Sequence, residues 1–126
     1  MAELDQEALA ALDRAREIDV RTPRRDGSVA SRPIWVVVVD GAPYVRSYHG
    51  ERGAWYRRSL ADGHAEFVAG DRTLDLAVEP ARGDELDDRV SGAFRAKYGG
   101  RSPGPTEAML APEVVATQLR LRGRGD

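Results

Sequence analysis

The sequence contains no cysteine in its 126 residues. Disulfides, thiol nucleophiles, thiolate metal sites and iron–sulfur clusters are thereby excluded, and the absence agrees with a reducing compartment. Histidine is nearly missing too. His49 and His64 stand alone, without the ligand spacing of a known metal site, so no metal is expected. The longest apolar run, IWVVVV at residues 34–39, is far shorter than the roughly 20 residues that cross a bilayer. The stretch MAELDQEALAALDRAREID is acidic and amphipathic, and it lacks the basic start and apolar centre of a secretory signal. A cytoplasmic protein without a membrane partner is expected. Neither a GxxxxGK[ST] phosphate loop nor a GxGxxG turn occurs.

Charge of one sign is scarce only locally. The chain as a whole carries −2, which argues against a nucleic-acid partner, but the distribution is uneven. Residues 1–20 sum to −4, residues 59–90 to −6 and residues 91–126 to +3. Residues 21–58 hold eight arginines against three acids, a block of +5. Lysine is reduced to Lys97, so arginine number by itself says little; the block is the informative feature.

A chain of this length reads as one domain, 1–126, able to bury a core without staples. Leu4, Leu9 and Leu12 with Ala8, Ala11 and Ala15 recur at helical spacing, which predicts an N-terminal helix within residues 1–16. Residues 17–80 read as barrel strands: 17–23, a long strand over 29–40, a third over 44–49 after the Asp40-Gly41 hairpin signal, and a second hairpin of 64–70 and 72–80. Residues 50–62 interrupt them with a loop and a short helix. Asp84 is placed to cap a helix over 84–98, GGRSPGP ends it as the least ordered-looking stretch, and 114–122 alternates as the last strand. The fold class is therefore mainly β with flanking helices, an α+β protein whose six short antiparallel strands close into a barrel.

The stretch YVRSYHGERGAWYRR, residues 44–58, is unlike packed core. In a continuous strand, Tyr44, Arg46 and Tyr48 share a face, and Arg46 must meet an acid, water or an anionic ligand because an unpaired buried guanidinium is costly. Gly50 and Gly53 let the backbone approach a ligand. Arg52, Arg57 and Arg58 offer the bidentate fork suited to phosphate. Trp55 and Tyr56 offer flat faces for a ring, although they serve equally as anchors of a short helix in the core. Arg21, Arg24, Arg25 and Arg32 lie on the adjoining hairpin. Ser47 and His49 are two apart on one strand, which gives only thin support for a nucleophile–base pair.

The run TPRRDGS…RPIWVVVVDGAPYVRS…GERGAWYRR resembles the split β-barrel flavin-binding superfamily, which includes pyridoxamine-phosphate-oxidase-like proteins and deazaflavin-dependent nitroreductases. The nearest likeness is to a small uncharacterised family within or beside it, through Arg46-Ser47, Gly50 and Trp55-Tyr56, and it covers residues 18–80. The resemblance implies a six-stranded split barrel that binds FMN or a deazaflavin. In it, Arg32, Arg46, Ser47 and Arg52 become phosphate ligands, Trp55, Tyr56 and Arg57 line the pocket, and Trp35 forms a wall. It further implies a homodimer and a hydride passed to a small organic acceptor. Tyr48-His49 stands where the sequence departs from the family pattern, and either side chain is a candidate for supplying a proton to the reduced acceptor. Two other readings stay open: a non-redox small-molecule binder or cofactor-free biosynthetic enzyme on the same barrel, and a structural dimer whose arginines sit in salt bridges.

Overall fold

The computed structural model describes residues 4–124. Helix α1 (Gln6–Arg14) opens on Asp5, whose Oδ1 accepts a hydrogen bond of 2.7 Å from the Ala8 backbone N–H, satisfying one of the unpaired donors of the first turn. Its Ala8, Ala11 and Leu12 are buried, as the helical spacing requires. Strands β1 (Ile18–Pro23) and β2 (Val29–Ile34) then form a hairpin in which Val20 faces Arg32.

The expected long strand over 29–40 is two strands, and the sheet has seven rather than six. β3 (Val37–Val39) is separated from β2 by Trp35 and Val36. The physical reason is a competition for the Val36 backbone. Its N–H donates to the Tyr98 hydroxyl at 3.2 Å, and its carbonyl accepts from Lys97 Nζ at 2.8 Å and lies 3.1 Å from the Tyr98 hydroxyl. With both groups satisfied by helix side chains, the ladder is interrupted and the chain bends.

β3 turns into β4 (Ala42–Val45) through Asp40 and Gly41, with φ of 51° and 79°. This double left-handed turn is what an Asp-Gly pair supplies. The third strand is shorter than the alternation predicts. It ends at Val45, so Arg46 and Ser47 lie beyond it, and Tyr48-His49 form a turn before a single 3-10 turn, Gly50–Arg52.

Helix α2 (Ala54–Asp62) stops at Gly63, in the left-handed region with φ 81°. The second hairpin is β5 (His64–Ala69) and β6 (Arg72–Pro80). Helix α3 (Asp84–Tyr98) has the bounds its apolar spacing predicts, with Gly83 preceding it, so Asp84 occupies the first helical position rather than the cap. GGRSPGP leads into a short helix, α4 (Pro103–Ala108), and α5 (Pro112–Val115) follows. The last strand, β7 (Leu119–Gly123), starts five residues later than the alternation over 114–122 suggests, because Val114 and Val115 belong to α5.

The sheet is antiparallel throughout, in the order β2-β1-β5-β6-β7-β4-β3. Its two edge strands, β2 and β3, are consecutive in the chain, so the sheet curls into a half-barrel whose rims meet at Trp35–Val36. Two apolar clusters flank that seam. One joins α1 and α2 to the concave sheet through Leu12, Val20, Trp55, Tyr56 and Phe67. The other packs α3, α4 and α5 against β3 and β4 through Val37, Tyr44, Phe94, Tyr98 and Met109. Each fully buried Phe or Leu contributes on the order of 1.5–3 kcal/mol of transfer free energy, so both clusters hold the seam between them. Among the described residues, no helix is long and apolar enough to cross a membrane.

Candidate functional site

A cavity of about 430 Å³ opens at this seam. β2 contributes Ala30, Arg32, Pro33 and Ile34, and the bend contributes Trp35. The segment after β4 contributes Arg46, Tyr48 and His49, and α2 with its approach contributes Gly53, Ala54, Trp55 and Arg58. Glu17 and Arg24 flank it from the two ends of β1, and Pro105 and Met109 from α4 and its end. Both tryptophans of the protein therefore face one space.

Arg46 forms the inner wall. It is 1% exposed, and its guanidinium is held almost entirely by neutral oxygens. Nε and Nη2 both donate to Gln118 Oε1, at 3.1 and 2.7 Å; Nη2 also donates to the Asp87 carbonyl at 3.2 Å, and Nη1 to the Met109 carbonyl at 3.0 Å. The cation lies 5.3 Å over the Phe94 ring. These bonds use four of its five N–H donors, leaving one on Nη1. Burial pulls its pKa down to about 10, against the pull of the Asp87 carboxylate. It stays charged at neutral pH.

Seven of the fourteen arginines outside the cavity pair with acids among the described residues: Arg21 with Glu66, Arg72 with Asp5 and Glu7, Arg82 with Asp87, Arg89 with Asp40, Arg120 and Arg122 with Glu79, and Arg124 with Asp75. The four arginines of the cavity, Arg24, Arg32, Arg46 and Arg58, have no such partner among the described residues. Arg24 Nη1 reaches the Ser28 hydroxyl at 3.2 Å, and Arg58 Nη1 lies 3.5 Å from Thr22 Oγ1. Glu17 is the single carboxylate side chain of the wall. The cavity carries an excess of positive charge inside a protein of net −2.

Of the side chains singled out from the sequence, Arg32, Arg46, Tyr48, His49, Trp55 and the wall residue Trp35 come together here. Ser47, Arg52, Tyr56 and Arg57 lie outside the lining. Ser47 is buried: its N–H donates to Thr117 Oγ1 at 2.8 Å and its hydroxyl donates to the Gly50 carbonyl at 2.7 Å. Gly53 closes over that hydroxyl, and a Cβ there would overlap Ser47 Oγ. Tyr56 packs in the first apolar cluster, and Arg52 and Arg57 are exposed. Arg24, Arg58, Glu17 and Met109 complete the wall. The first two were named from the sequence, Arg58 as a phosphate fork and Arg24 on the adjoining hairpin, whereas Gln118 and Met109 carry no local signal of a site.

Trp35 lies parallel to Tyr98, 4.0 Å between centroids and 2° between planes. Tyr48 is 53% exposed at the rim and meets the His49 ring edge-on at 5.3 Å. Chemically, the site offers guanidinium donors for an anion, aromatic surface for a ring, and a phenol and an imidazole as proton carriers.

Comparison with known proteins agrees with this architecture. No curated protein matches the sequence. The heme storage protein HutZ of Vibrio cholerae superposes with a TM-score of 0.66 at 12% identity, over 98% of this chain and 92% of that one. An F420-H2-dependent reductase, FDR-A, gives 0.61 at 17% identity over 86% and 95%, and a candidate pyridoxamine 5'-phosphate oxidase of Listeria innocua gives 0.56 at 13% over 95% and 91%. Identities this low speak for the fold alone, a split barrel. Residues 8–121 match a family described as uncharacterised proteins conserved in bacteria, DUF2255, and the chain belongs to that family.

Proposed function

We propose that the seam cavity binds a flavin or deazaflavin through its phosphate-bearing tail, and that the protein passes a hydride from the bound cofactor to a small organic acceptor. The observation that carries this reading is the set of four cavity arginines without a carboxylate partner beside two tryptophans. The residues present fit such a group. A cavity of about 430 Å³ lies inside the range of roughly 300–1,000 Å³ of small-molecule sites, and its wall is apolar and aromatic with a few charged donors.

When bound, the cofactor ring supplies the hydride chemistry. The protein's part is binding, orientation and proton supply. Arg24 and Arg58, on neighbouring elements at the hairpin end, offer charge-assisted hydrogen bonds to phosphate oxygens. Arg32 adds a third cation from β2. Trp35, backed by Tyr98, presents a rigid plane against which a ring is held without loss of side-chain freedom. Arg46 directs its remaining Nη1 donor at an electron-rich edge of ring or acceptor. The Tyr48 hydroxyl or the His49 imidazole, at the rim, gives the proton that a hydride-reduced acceptor takes up.

A second reading is heme binding. His49, the one imidazole in the cavity wall, favours it, and HutZ shares the fold. The test is spectroscopic: titrate the purified protein separately with FMN, the deazaflavin coenzyme F420 and hemin. Saturable FMN or F420 binding, with reoxidation of the reduced cofactor by a nitro- or enone-bearing acceptor, supports the first reading. A Soret shift lost in His49→Ala supports the second. Binding of none of the three by the folded protein leaves the non-redox alternatives and defeats both.

A further inference from the structure

The contact between Arg46 and Gln118 is unusual in its chemistry. A buried guanidinium generally meets a carboxylate, because a paired charge is cheaper to bury than a lone one. Here the clamping oxygen is an amide. Gln118 is 0% exposed, and its Oε1 accepts from both Nε and Nη2 of Arg46. The amide orientation is fixed from the other side, since Gln118 Nε2 donates to the Ala81 carbonyl at 2.7 Å and to Asp87 Oδ1 at 3.0 Å. A carboxylate is therefore present in the cluster, one side chain further out, and it is engaged by Arg82, whose Nε and Nη2 reach it at 3.0–3.2 Å.

The four residues form a relay from surface to cavity: Arg82, Asp87, Gln118, Arg46. Glutamine transmits position but no charge. It holds the guanidinium in a fork geometry normally made by an acid, while the acid itself is kept for the outer arginine. The other contacts of Arg46 are the Met109 and Asp87 carbonyls and the Phe94 face, all uncharged.

We propose that Gln118 is the positioning residue that makes the inner wall of the cavity an anion site, by clamping Arg46 through a neutral oxygen and holding the nearest carboxylate, Asp87, one side chain away from it. A glutamate in its place would close an ion pair and cancel the charge. The proposal rests on the reading of the cavity as a site for an anionic planar ligand, and it identifies the residue that sets the charge of that site.

The test uses the full chain. Both tryptophans line the cavity, so quenching of their fluorescence by iodide relative to neutral acrylamide reports the charge there without any assumption about the ligand. Two variants are compared with the wild type at about pH 8, where carboxylates are ionised. In Gln118→Glu combined with Asp87→Asn, the carboxylate moves inward by one side chain at constant net charge. The amide introduced at position 87 then supplies the donor that the carboxylate introduced at position 118 lacks. In Gln118→Met, the charge stays and the clamp is removed. Thermal unfolding is recorded for both.

The expected result for the folded double variant is a fall of about two-fold or more in the iodide-to-acrylamide ratio, as a cation near the quencher is neutralised. For Gln118→Met the ratio is expected to hold, while FMN affinity drops by roughly ten-fold because Arg46 is free to turn. A folded double variant with the wild-type ratio overturns the proposal, as does Gln118→Met with wild-type FMN affinity. If the double variant does not fold, the Met variant decides. If the wild type binds neither FMN nor F420, the cofactor reading fails, and the iodide ratio still decides the role of Gln118.

Discussion

Trp35 and Tyr98, 63 positions apart in the sequence, lie face to face at 4.0 Å. The tyrosine closes one side of the indole and leaves the tryptophan to line the cavity. The same tyrosine hydroxyl meets the Val36 N–H and carbonyl and lies 2.9 Å from the Arg16 carbonyl, and burial pushes its pKa up to about 12. One side chain thus both breaks the strand and backs the wall.

Tyr98→Phe separates these roles. The stacking surface remains while the buried Val36 N–H loses its acceptor, at a cost of about 1–3 kcal/mol. The melting temperature should fall by roughly 4 °C or more. FMN affinity should change less than in Trp35→Leu, which removes the plane itself. Differential scanning fluorimetry and a flavin titration check both statements.

The arginines at the hairpin end should discriminate by phosphate. Wild-type protein is expected to bind FMN more tightly than riboflavin. In Arg24→Gln combined with Arg58→Gln, that preference should shrink by about ten-fold or more, the worth of charge-assisted contacts to a phosphate. Equal affinities for the two ligands in the wild type would show that the tail is not held there.

Gly53 and Ser47 should behave as a coupled pair. Gly53→Ala drives a methyl into Ser47 Oγ, and the hydroxyl cannot move without releasing the Gly50 carbonyl. A loss of roughly 1–3 kcal/mol is expected for the overpacked variant. In a Ser47→Ala background the same substitution should cost distinctly less, and a double-mutant cycle of unfolding free energies measures the difference.

Acid stability should depend on Glu79. Hydrogen bonds from Arg120, opposed by partial burial and helped by Arg122, hold its carboxyl below the ordinary 4.5. A carboxylate with a lowered folded pKa adds stability above its unfolded value, and that stability is lost as pH falls through the folded one. Glu79→Gln should therefore be less stable than the wild type at pH 7, with the gap closing as pH falls below the ordinary 4.5 and through the lowered folded value. Denaturation midpoints across that range provide the check.

A homodimer is the expected state in solution. Val29 at 49% and Tyr48 at 53% exposure leave apolar surface at the β2 edge and the cavity rim, and β2 ends the hydrogen-bonded ladder. Light scattering that returns only monomer at micromolar protein would refute it.

Much of the architecture was legible from spacing alone. The 84–98 helix and the Asp40-Gly41 turn depend on neighbours three or four positions away or fewer, so local pattern captures them. The break at Trp35–Val36 does not, because its cause is Tyr98 and Lys97, more than sixty residues distant in sequence. For the same reason Arg46 was recognisable as a cation in need of a partner, but the identity of that partner was not. Gln118 sits in what reads as an ordinary alternating strand, and its role exists only once β7 lies beside β4. Ser47 becomes a phosphate ligand only through the family resemblance, while its hydroxyl is committed to a turn.

The meeting of β2 and β3 at a two-residue bend makes the protein resemble a bracelet fastened by one link. A backbone cut between Trp35 and Val36 would leave every rung of the sheet intact and yet undo the clasp. That link is riveted rather than loose, because Val36 is fully buried with both backbone groups bonded to side chains of α3 and Trp35 lies flat on Tyr98.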